Sequence, residues 1–362
     1  MHNKTIKRVL IYRLGSLGDT IVALPGLHLI AYMYPNAERR LLTNQPINVR
    51  APAAWSVLQN SGLVHDYYEY PVGSRNPFVL SRLYFDLIRW RPQLIIYLMA
   101  IRKGLGFMRD AVFLNCIAPG HVVGVPWKKY QRVHQLDKKT GLYQSESSRL
   151  LQNIAKLGVI DFQRSEYRDL HLTKDEIGAA NECLWNWPGR AQFWAFSLGT
   201  KNDVNVWGLD KWRELFSRLQ SIANGIGIVM FGALDEKNIS DQAGLNWPGP
   251  VLNLCGRISP RESAAVMRHA QLFLGQNSGP MHLAAAVGVP CVAVFSARDL
   301  PGVWFPLGQS HQILYHRWEC AGCGLEKCLV HKKICIESIT VDEVYNAVSI
   351  MIHKNQTKYI CD

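Results

Sequence analysis

The chain has 362 residues, of which 48% are hydrophobic and 19% are charged. This composition excludes a disordered chain, and the length suits two domains better than one. No apolar run reaches the roughly 18–20 residues that span a bilayer, and the first apolar run, Val9–Tyr12, is too short for a signal-peptide core. We therefore expect a protein that stays in the cytoplasm.

The net charge of +12 is distributed unevenly along the chain. Residues 1–180 contain 24 Lys and Arg against 13 Asp and Glu, which gives a net charge of +11. A basic half favours an anionic partner, such as a lipid surface or a phosphorylated glycan, although a solvated basic surface is the simpler explanation. No RNA- or DNA-binding motif accompanies the charge, so we expect no nucleic-acid partner.

The first half of the chain alternates between strand-like and helix-like patterns. The predicted elements are a strand at Ile6–Tyr12, a glycine turn at 13–19, a helix at Thr20–Tyr34 ended by Pro35, a strand at Gln93–Met99, a helix at Gly104–Ile117, a strand at His121–Val125, and a helix at Ser145–Leu157 that ends at Gly158.

A second alternating series follows a boundary predicted at Leu172–Arg190, a connection expected to contain a helix of its own. The predicted strands are Gln192–Ser197, Gly227–Phe231, Val251–Leu254, Leu272–Gly275 and Cys291–Phe295; the predicted helices are Asp210–Ile222, Pro260–His269, Gly279–Val287 and Val341–Ile352. Continuous apolar strands separated by helices predict parallel sheets that are covered on both faces.

The predicted fold class is therefore α/β, with two Rossmann-like, doubly wound domains that face a cleft. The domains are predicted at 1–175 and 190–340, and a last helix at 341–362 either belongs to the second or crosses back to the first. In open parallel sheets, ligands bind beyond the carboxyl ends of the strands, and both glycine-bearing loops follow strands. We expect both loops to face the cleft.

The first of these loops contains Arg13, Gly15, Ser16, Gly18 and Asp19. The two glycines permit a tight turn and a close backbone approach. Asp19 falls where an N-cap is expected, and it is either that cap or a general base at the mouth of the cleft.

The second loop runs from Gly275 to His282. Asn277 or Ser278 is expected to cap the next helix, and Pro280 suits its first turn. The free N–H groups at that helix start, from Gly279 onward, attract a phosphate. His282 either points into the cleft or is a packed core histidine.

Two further loops follow predicted strands and carry suitable groups for a nucleotide. Ser197, Gly199, Thr200 and Lys201 can bind phosphate through N–H, hydroxyl and ammonium donors, although the segment also reads as an ordinary turn. Glu236 can accept hydrogen bonds from ribose hydroxyls, or it is only an acidic helix start.

Four of the nine cysteines, Cys320, Cys323, Cys328 and Cys335, lie close together near the C-terminus. Four thiolates at this density can bind zinc, but the spacing departs from the usual paired pattern. Reduced thiols are favoured over a metal, and a stable disulfide is disfavoured in a reducing compartment. No metal is therefore expected.

These pieces together resemble the ADP-heptose:lipopolysaccharide heptosyltransferase family. The resemblance is carried by RLGSLGDTIVALPGL near the N-terminus, by LGQNSGPMHLAAAVGVPCVAVF, and by the late cysteine group followed by ITVDEV. It extends from about residue 6 to residue 350, although residues 40–140 match only in layout.

The resemblance implies a GT-B fold and an inverting transfer of heptose that needs no metal or other cofactor. It implies that Asp19 is the base and that Glu236 binds ribose, and it places the acceptor at the first loop, with Arg13, Gly15, Ser16 and Gly18. The implied donor site contains Ser197, Gly199, Thr200, Ser278, Gly279 and His282, and the neighbouring Lys201 and Asn277 are added to it as candidates.

Two positions depart from the family. The donor block usually begins with Asp, where this chain has Asn277, and the family tends to place a Lys where this chain has Asn205, two residues before Trp207. Lys201 is a candidate to replace that charge.

The expected function is transfer of a heptose, or a related sugar, from a nucleotide diphosphate sugar such as ADP-heptose to a lipopolysaccharide core or similar glycolipid. The acceptor is expected to be anionic and at the inner membrane surface, which makes peripheral membrane association part of this expectation. The alternatives are a GT-B transferase or epimerase that uses another nucleotide sugar, and a non-catalytic sugar-nucleotide-binding relative. The sequence does not indicate an oligomeric state.

Overall fold

A computed structural model describes residues 6–44, 52–74, 76–102, 104–188, 192–223 and 225–358. The chain divides into two compact units, Met1–Thr173 and Lys174–Asp362. Arg190, at the end of the predicted boundary, and residues 359–362 of the predicted last helix lie outside the described residues. Within the described ranges, no helix has both the length and the apolar character that crossing a membrane requires.

The first unit contains a five-stranded sheet in which every described pairing is parallel. Its strands are β1 (Arg8–Tyr12), β2 (Glu38–Asn44), β3 (Asp66–Tyr70), β4 (Leu94–Tyr97) and β5 (Val122–Val123). Their order across the sheet is β3-β2-β1-β4-β5. Strands β1 and β4 are buried almost throughout, as central strands covered by helices on both faces should be.

The described helices of the first unit are α1 (Leu17–Val22), α2 (Leu24–Met33), α3 (Trp55–Leu58), α4 (Pro77–Trp90), α5 (Gly106–Ile117) and α6 (Glu146–Asn153). The prediction of one helix over Thr20–Tyr34 is wrong, because the chain forms two helices there and Pro25 lies in the first turn of the second. Proline lacks the N–H that a continuous helix needs, but it suits a first turn. The helix predicted to continue to Leu157 ends at Asn153.

The second unit contains a six-stranded sheet whose described pairings are also all parallel. Its strands are β6 (Phe193–Ser197), β7 (Gly227–Met230), β8 (Val251–Asn253), β9 (Leu272–Gln276), β10 (Cys291–Phe295) and β11 (His311–Tyr315). Their order is β11-β10-β9-β6-β7-β8. The predicted α/β class with two doubly wound parallel sheets is confirmed.

The helices of the second unit are α7 (Lys174–Cys183), α8 (Leu209–Ala223), α9 (Lys237–Gly244), α10 (Pro260–Met267), α11 (Gly279–Ala286), α12 (Ile334–Glu337) and α13 (Val341–Lys358). Helix α7 lies in the predicted boundary segment and joins the second unit, where Glu176 forms an ion pair with Arg261 of α10 (2.6 Å).

The last helix, α13, packs within the second unit. Val344, Val348 and Met351 lie in the same buried cluster as Trp212 and Leu215 of α8. The helix therefore completes one face of the second core.

We predict that this packing contributes measurably to stability. Met351 is 4% exposed, whereas its neighbour Ile350 is 47% exposed. Met351→Ala should lower the free energy of unfolding by about 2–5 kcal/mol through lost burial and a cavity, while Ile350→Ala should change it by less than about 0.5 kcal/mol. Urea denaturation of both variants tests this, and equal effects would show that α13 does not pack as described.

Candidate functional site

In each sheet, the order in which successive strands are added reverses at one pair of neighbouring strands. In the first sheet the reversal lies between β1 and β4, and in the second it lies between β6 and β9. Loops that leave such a pair turn to opposite sides, which opens a crevice at the carboxyl edge where ligands bind. The glycine loops predicted from the sequence follow β1 and β9, so each lies at a reversal point of its own sheet.

Arg13 follows β1 directly and is 1% exposed. Its guanidinium donates a hydrogen bond to the carbonyl oxygen of Leu98, just past β4, at 2.9 Å, and another to the carbonyl oxygen of Asp19. Burial lowers the pKa of Arg13, and the nearby Asp19 carboxylate opposes this effect. Arg13 thus joins the loops on both sides of the reversal.

The sequence suggested that Asp19 is an N-cap, and this prediction is wrong. The N-cap of α1 is Ser16, and Asp19 is the third residue of the helix. Its Oδ2 accepts hydrogen bonds from the backbone N–H and the hydroxyl of Ser16, both at 2.9 Å. Its Oδ1 lies 3.6 Å from the Arg13 guanidinium, and the side chain is 26% exposed. One carboxylate oxygen is therefore held by the loop, while the side chain keeps contact with solvent.

The glycine at position 15 is required by this arrangement. A Cβ on Gly15 would overlap Asp19, and the Gly15 N–H donates to the Asn44 side chain at 2.7 Å. Asn44 ends β2 and was not identified from the sequence. Because no strand was predicted before Asn44, the rule that polar residues at strand ends line a site could not be applied to it.

A buried ion pair beside this loop was also missed. Arg149 and Glu146 of α6 are each 1% exposed and form two hydrogen bonds, at 2.7 and 2.8 Å. Arg149 also donates to the carbonyl oxygen of Met99 at 2.7 Å, past the end of β4. Helix α6 therefore braces the same loop that Arg13 contacts, which no local pattern in the sequence indicates.

In the second unit, helix α11 begins immediately past β9, with Ser278 as its N-cap. Among the described residues, neither the Ser278 hydroxyl nor the Ser197 hydroxyl has a hydrogen-bond partner, although both oxygen atoms are buried. Ser197 ends β6, the strand beside β9, and pairs in register with Gly275. Two buried hydroxyls and a helix N-terminus at one reversal point form a site suited to an anion.

Glu236 lies over the loops that follow β6 and β7. Its Oε2 accepts a hydrogen bond from the Ala233 N–H at 2.9 Å. A Cβ on either Gly199 or Gly232 would overlap its carboxylate, so these glycines make room for it. Thr200 is 9% exposed, whereas Lys201 is exposed. The structure thus gathers Ser197, Gly199, Thr200 and Glu236 at one edge of the sheet.

The two departures from the family belong to one hydrogen-bonded network. Asn205 is 3% exposed, accepts a bond from the Ser296 hydroxyl at 2.5 Å, and donates to the Asn277 carbonyl at 3.5 Å. The Asn277 amide donates in turn to Asp299 at 3.5 Å, and Asp299 pairs with Arg298 at 3.0 Å. The loop after β10 therefore brings both a carboxylate and a guanidinium to the position beside Asn277.

His282 lies in the first turn of α11 and is 3% exposed. Its ring lies 6.4 Å from the Trp304 ring in an edge-to-face arrangement. This burial fits the packed histidine as well as a ligand contact, so its role stays a prediction.

The cysteine segment packs against the loop after β10. The N–H groups of Gly322 and Gly324 donate to the carbonyl oxygens of Ala297 and Arg298, at 2.8 and 2.9 Å. Burial raises the pKa of Cys335, and the other three clustered thiols raise it further. In the described part of the chain, no three His, Cys, Asp or Glu residues are placed to hold a metal ion.

Comparison with known proteins identifies the family. Residues 106–334 match glycosyltransferase family 9 (heptosyltransferase), which is more than half of the chain. The chain therefore belongs to glycosyltransferase family 9.

Two curated relatives match over shorter stretches. A lipopolysaccharide heptosyltransferase 3 of Escherichia coli is 46% identical over 50 residues, and that of Escherichia coli strain K12 is 30% identical over 94 residues. These matches span 14% and 26% of this chain, and 15% and 27% of the relatives' own lengths.

Solved structures agree over almost the whole chain. A family 9 glycosyl transferase from Veillonella parvula DSM 2008 has a TM-score of 0.72 at 16% identity, covering 96% of this chain and 98% of its own. The E. coli heptosyltransferase WaaC with ADP has a TM-score of 0.63 at 20% identity, covering 96% and 99%. These likenesses confirm the predicted GT-B fold.

We predict that the close approach of Gly15 to Asp19 makes the glycine necessary. Gly15→Ala should lower the free energy of unfolding by about 1–3 kcal/mol, because the added methyl group must displace Asp19 or the loop. Gly178→Ala is the control, since a Cβ at Gly178 in α7 meets nothing within 4 Å and should stabilise the helix slightly. Urea unfolding compares the two, and a Gly15→Ala protein as stable as wild type would show that the loop has room.

Proposed function

We propose that the protein transfers a heptose from ADP-heptose to an anionic glycolipid acceptor of the lipopolysaccharide-core type. The observation that carries this proposal is a pair of buried hydroxyls, those of Ser197 at the end of β6 and of Ser278 at the N-cap of α11. Neither has a hydrogen-bond partner among the described residues. A buried hydroxyl without a partner costs free energy, and a phosphate oxygen would satisfy it.

The donor's diphosphate is assigned to that edge of the second sheet. The first-turn N–H groups of α11 and the Ser197 and Ser278 hydroxyls would donate hydrogen bonds to it, and the positive end of the helix dipole favours its charge. Glu236, on the loop after the neighbouring strand β7, would accept hydrogen bonds from the ribose hydroxyls. Lys201 and Arg298 are the nearby cations available to neutralise the leaving group.

Asp19 is the proposed general base. Ser16 holds its Oδ2 through two hydrogen bonds, so Oδ1 is the oxygen that would take the proton from the acceptor hydroxyl. The acceptor oxygen then forms a bond to the anomeric carbon while the bond from that carbon to the diphosphate oxygen breaks. Attack from the face opposite the leaving group inverts the anomeric centre, and the diphosphate leaves as ADP.

The identity of the donor is supported by the family and by its relatives. A solved structure of WaaC contains ADP-2-deoxy-2-fluoro heptose. The carboxylate of Asp299, 3.5 Å from the Asn277 amide, lies beside the position where the family usually has an Asp. We propose that this charge compensates for Asn277 and that the site still accepts ADP-heptose.

The proposed location is the cytoplasmic face of the inner membrane, where an anionic glycolipid would be reached from the basic first half. The net charge of +11 over residues 1–180 supports this part of the proposal.

The test is incubation with ADP-heptose in the presence and absence of heptose-deficient lipopolysaccharide core. Release of ADP and a gain of one heptose in the mass of the acceptor are expected only when both are present. An altered sugar nucleotide formed without acceptor would favour an epimerase instead, and donor binding without transfer to any acceptor would favour a non-catalytic relative.

We predict that Asp19→Asn lowers turnover about 10²–10⁴-fold, the usual contribution of a general base. The affinity for ADP should stay unchanged, because Asp19 is outside the proposed donor site. Asp161→Asn, at an exposed aspartate of the same unit, is the matched control. ADP release measures turnover and calorimetry measures affinity; near-normal turnover of Asp19→Asn would remove Asp19 from the mechanism.

A further inference from the structure

Helix α4 is apolar on two sides, which is unusual for a helix that covers a sheet. Leu83, Leu87 and Trp90 face the core of the first unit. On the opposite side, Phe78 is 81% exposed and Phe85 is 65% exposed. A helix whose outer side meets only water normally carries polar residues there.

The outer side of α4 also carries two arginines. Phe78, Arg82, Phe85 and Arg89 follow one another at intervals of four, three and four residues, so they form one stripe along the helix. Asp86 is the one exposed acidic residue of the described helix α4.

Helix α5 continues this pattern. Leu105, at its N-cap, is 71% exposed, Met108 is 43% exposed and Val112 is 65% exposed. Arg109 lies among them with a side chain that is 65% exposed. The single acidic residue of this described helix, Asp110, is 2% exposed and pairs with Arg109 at 2.9 Å.

The two helices present these residues in the same direction. Inward-facing Leu87 of α4 and Leu114 of α5 pack in one cluster with Leu10 and Ile95, which lie on one face of the first sheet. Tyr84 of α4 also donates a hydrogen bond to the carbonyl oxygen of Cys116 in α5, at 3.5 Å. Their outer sides therefore point away from the same face of the sheet.

The loop after β5 adjoins this surface. The Trp127 ring lies 6.0 Å from the ring of Phe107 in α5, and Arg132 lies over the same ring at 4.7 Å. Trp127 is 59% exposed and Tyr130 is 44% exposed, with exposed Lys128 and Lys129 between them. Residues 127–133 contain no acidic residue.

We propose that this basic–aromatic face docks the protein on an anionic phospholipid bilayer. We define the face by the outer residues of α4, α5 and the following loop, which are Phe78, Arg82, Phe85, Arg89, Leu105, Met108, Arg109, Val112, Trp127, Lys128, Lys129 and Tyr130. Aromatic and aliphatic side chains enter the boundary between headgroups and acyl chains, while arginine and lysine pair with anionic headgroups. The inference deepens the proposed function, because it names the surface by which the protein reaches a membrane-bound acceptor.

Charge favours a bilayer over a second copy of the chain as the occupant. Two such faces brought together would place arginine and lysine side chains against each other, which is unfavourable. Asp86 is the only exposed acidic residue in the described stretches that form the face. Helix α8 of the second unit provides an internal comparison, since its exposed residues Asp210, Arg213, Glu214, Ser217 and Ser221 are all polar. The outer sides of α4 and α5 therefore differ in composition from that of α8.

The test is co-sedimentation of the full chain with vesicles. Vesicles of phosphatidylcholine with phosphatidylglycerol should bind the protein, and added salt should weaken this binding. Vesicles of phosphatidylcholine alone should bind it more weakly. Arg82→Gln with Arg89→Gln should weaken binding about fivefold for each arginine, and Phe78→Ser with Phe85→Ser about tenfold or more in total.

Matched controls lie in the second unit. Trp185→Ser removes an aromatic side chain that is 84% exposed, and Arg213→Gln removes an arginine that is 47% exposed. Neither control should change vesicle binding, and all variants should unfold at the wild-type temperature because the substituted side chains are exposed.

Three results would overturn the docking proposal. The first is wild-type protein that does not bind anionic vesicles, and the second is face variants that bind as well as wild type. The third is a lipid-free dimer that Phe78→Ser with Phe85→Ser converts to a monomer, since the face would then be a protein interface. Vesicle binding is measured without sugar donor, so a protein that docks but does not transfer heptose contradicts only the proposed function.

Discussion

The reversal of strand order within each parallel sheet is the constraint on which the rest of the structure depends. Between β1 and β4, and again between β6 and β9, consecutive connections leave toward opposite sides of the sheet. The loops at these points cannot cover the strand ends, so polar groups placed there meet a ligand. The first-unit loop with Asp19 and the second-unit helix start at Gly279 both lie at such a point.

The two reversal points are built from different chemistry. The first is held by buried charges: Arg13 joins the loops after β1 and β4, and the Glu146–Arg149 pair contacts the loop after β4 from α6. The second has a helix N-terminus and hydroxyls, with glycines that make room for Glu236. Buried arginines fix the loops beside Asp19, whereas a helix start with free donors receives an anion. This difference supports the assignment of the base to the first unit and of the diphosphate to the second.

Much of this could be predicted from the sequence, because the information was local. Continuous apolar strands predicted the parallel sheets, and Cys291–Phe295 was placed with both ends correct. The split at Pro25 was missed because the apolar spacing continues across it. Strands β2 and β3 were missed because polar and charged residues such as Arg39, Arg40 and Glu69 interrupt their pattern; Arg39 is 5% exposed and is satisfied by backbone carbonyls that only the fold brings near.

The contrast between local patterns and contacts that only the fold creates also explains which site residues could be predicted. Loops with glycine and hydroxyl residues after strands were visible in the sequence, so candidate site residues could be named from it. Asn44, Ser296 and Asp299 were missed, since their contacts join positions 29, 91 and 22 residues apart. The outer sides of α4 and α5 were equally hidden, because spacing alone does not show which of two apolar sides of a helix is covered.

The central claim is that the reversal point between β6 and β9 binds a nucleotide diphosphate. A crystal structure of the protein with ADP tests it most directly. We expect diphosphate oxygens within hydrogen-bond distance of the Ser278 hydroxyl and the first N–H groups of α11, with the ribose beside Glu236. ADP bound with its diphosphate away from the N-terminus of α11 would contradict the account.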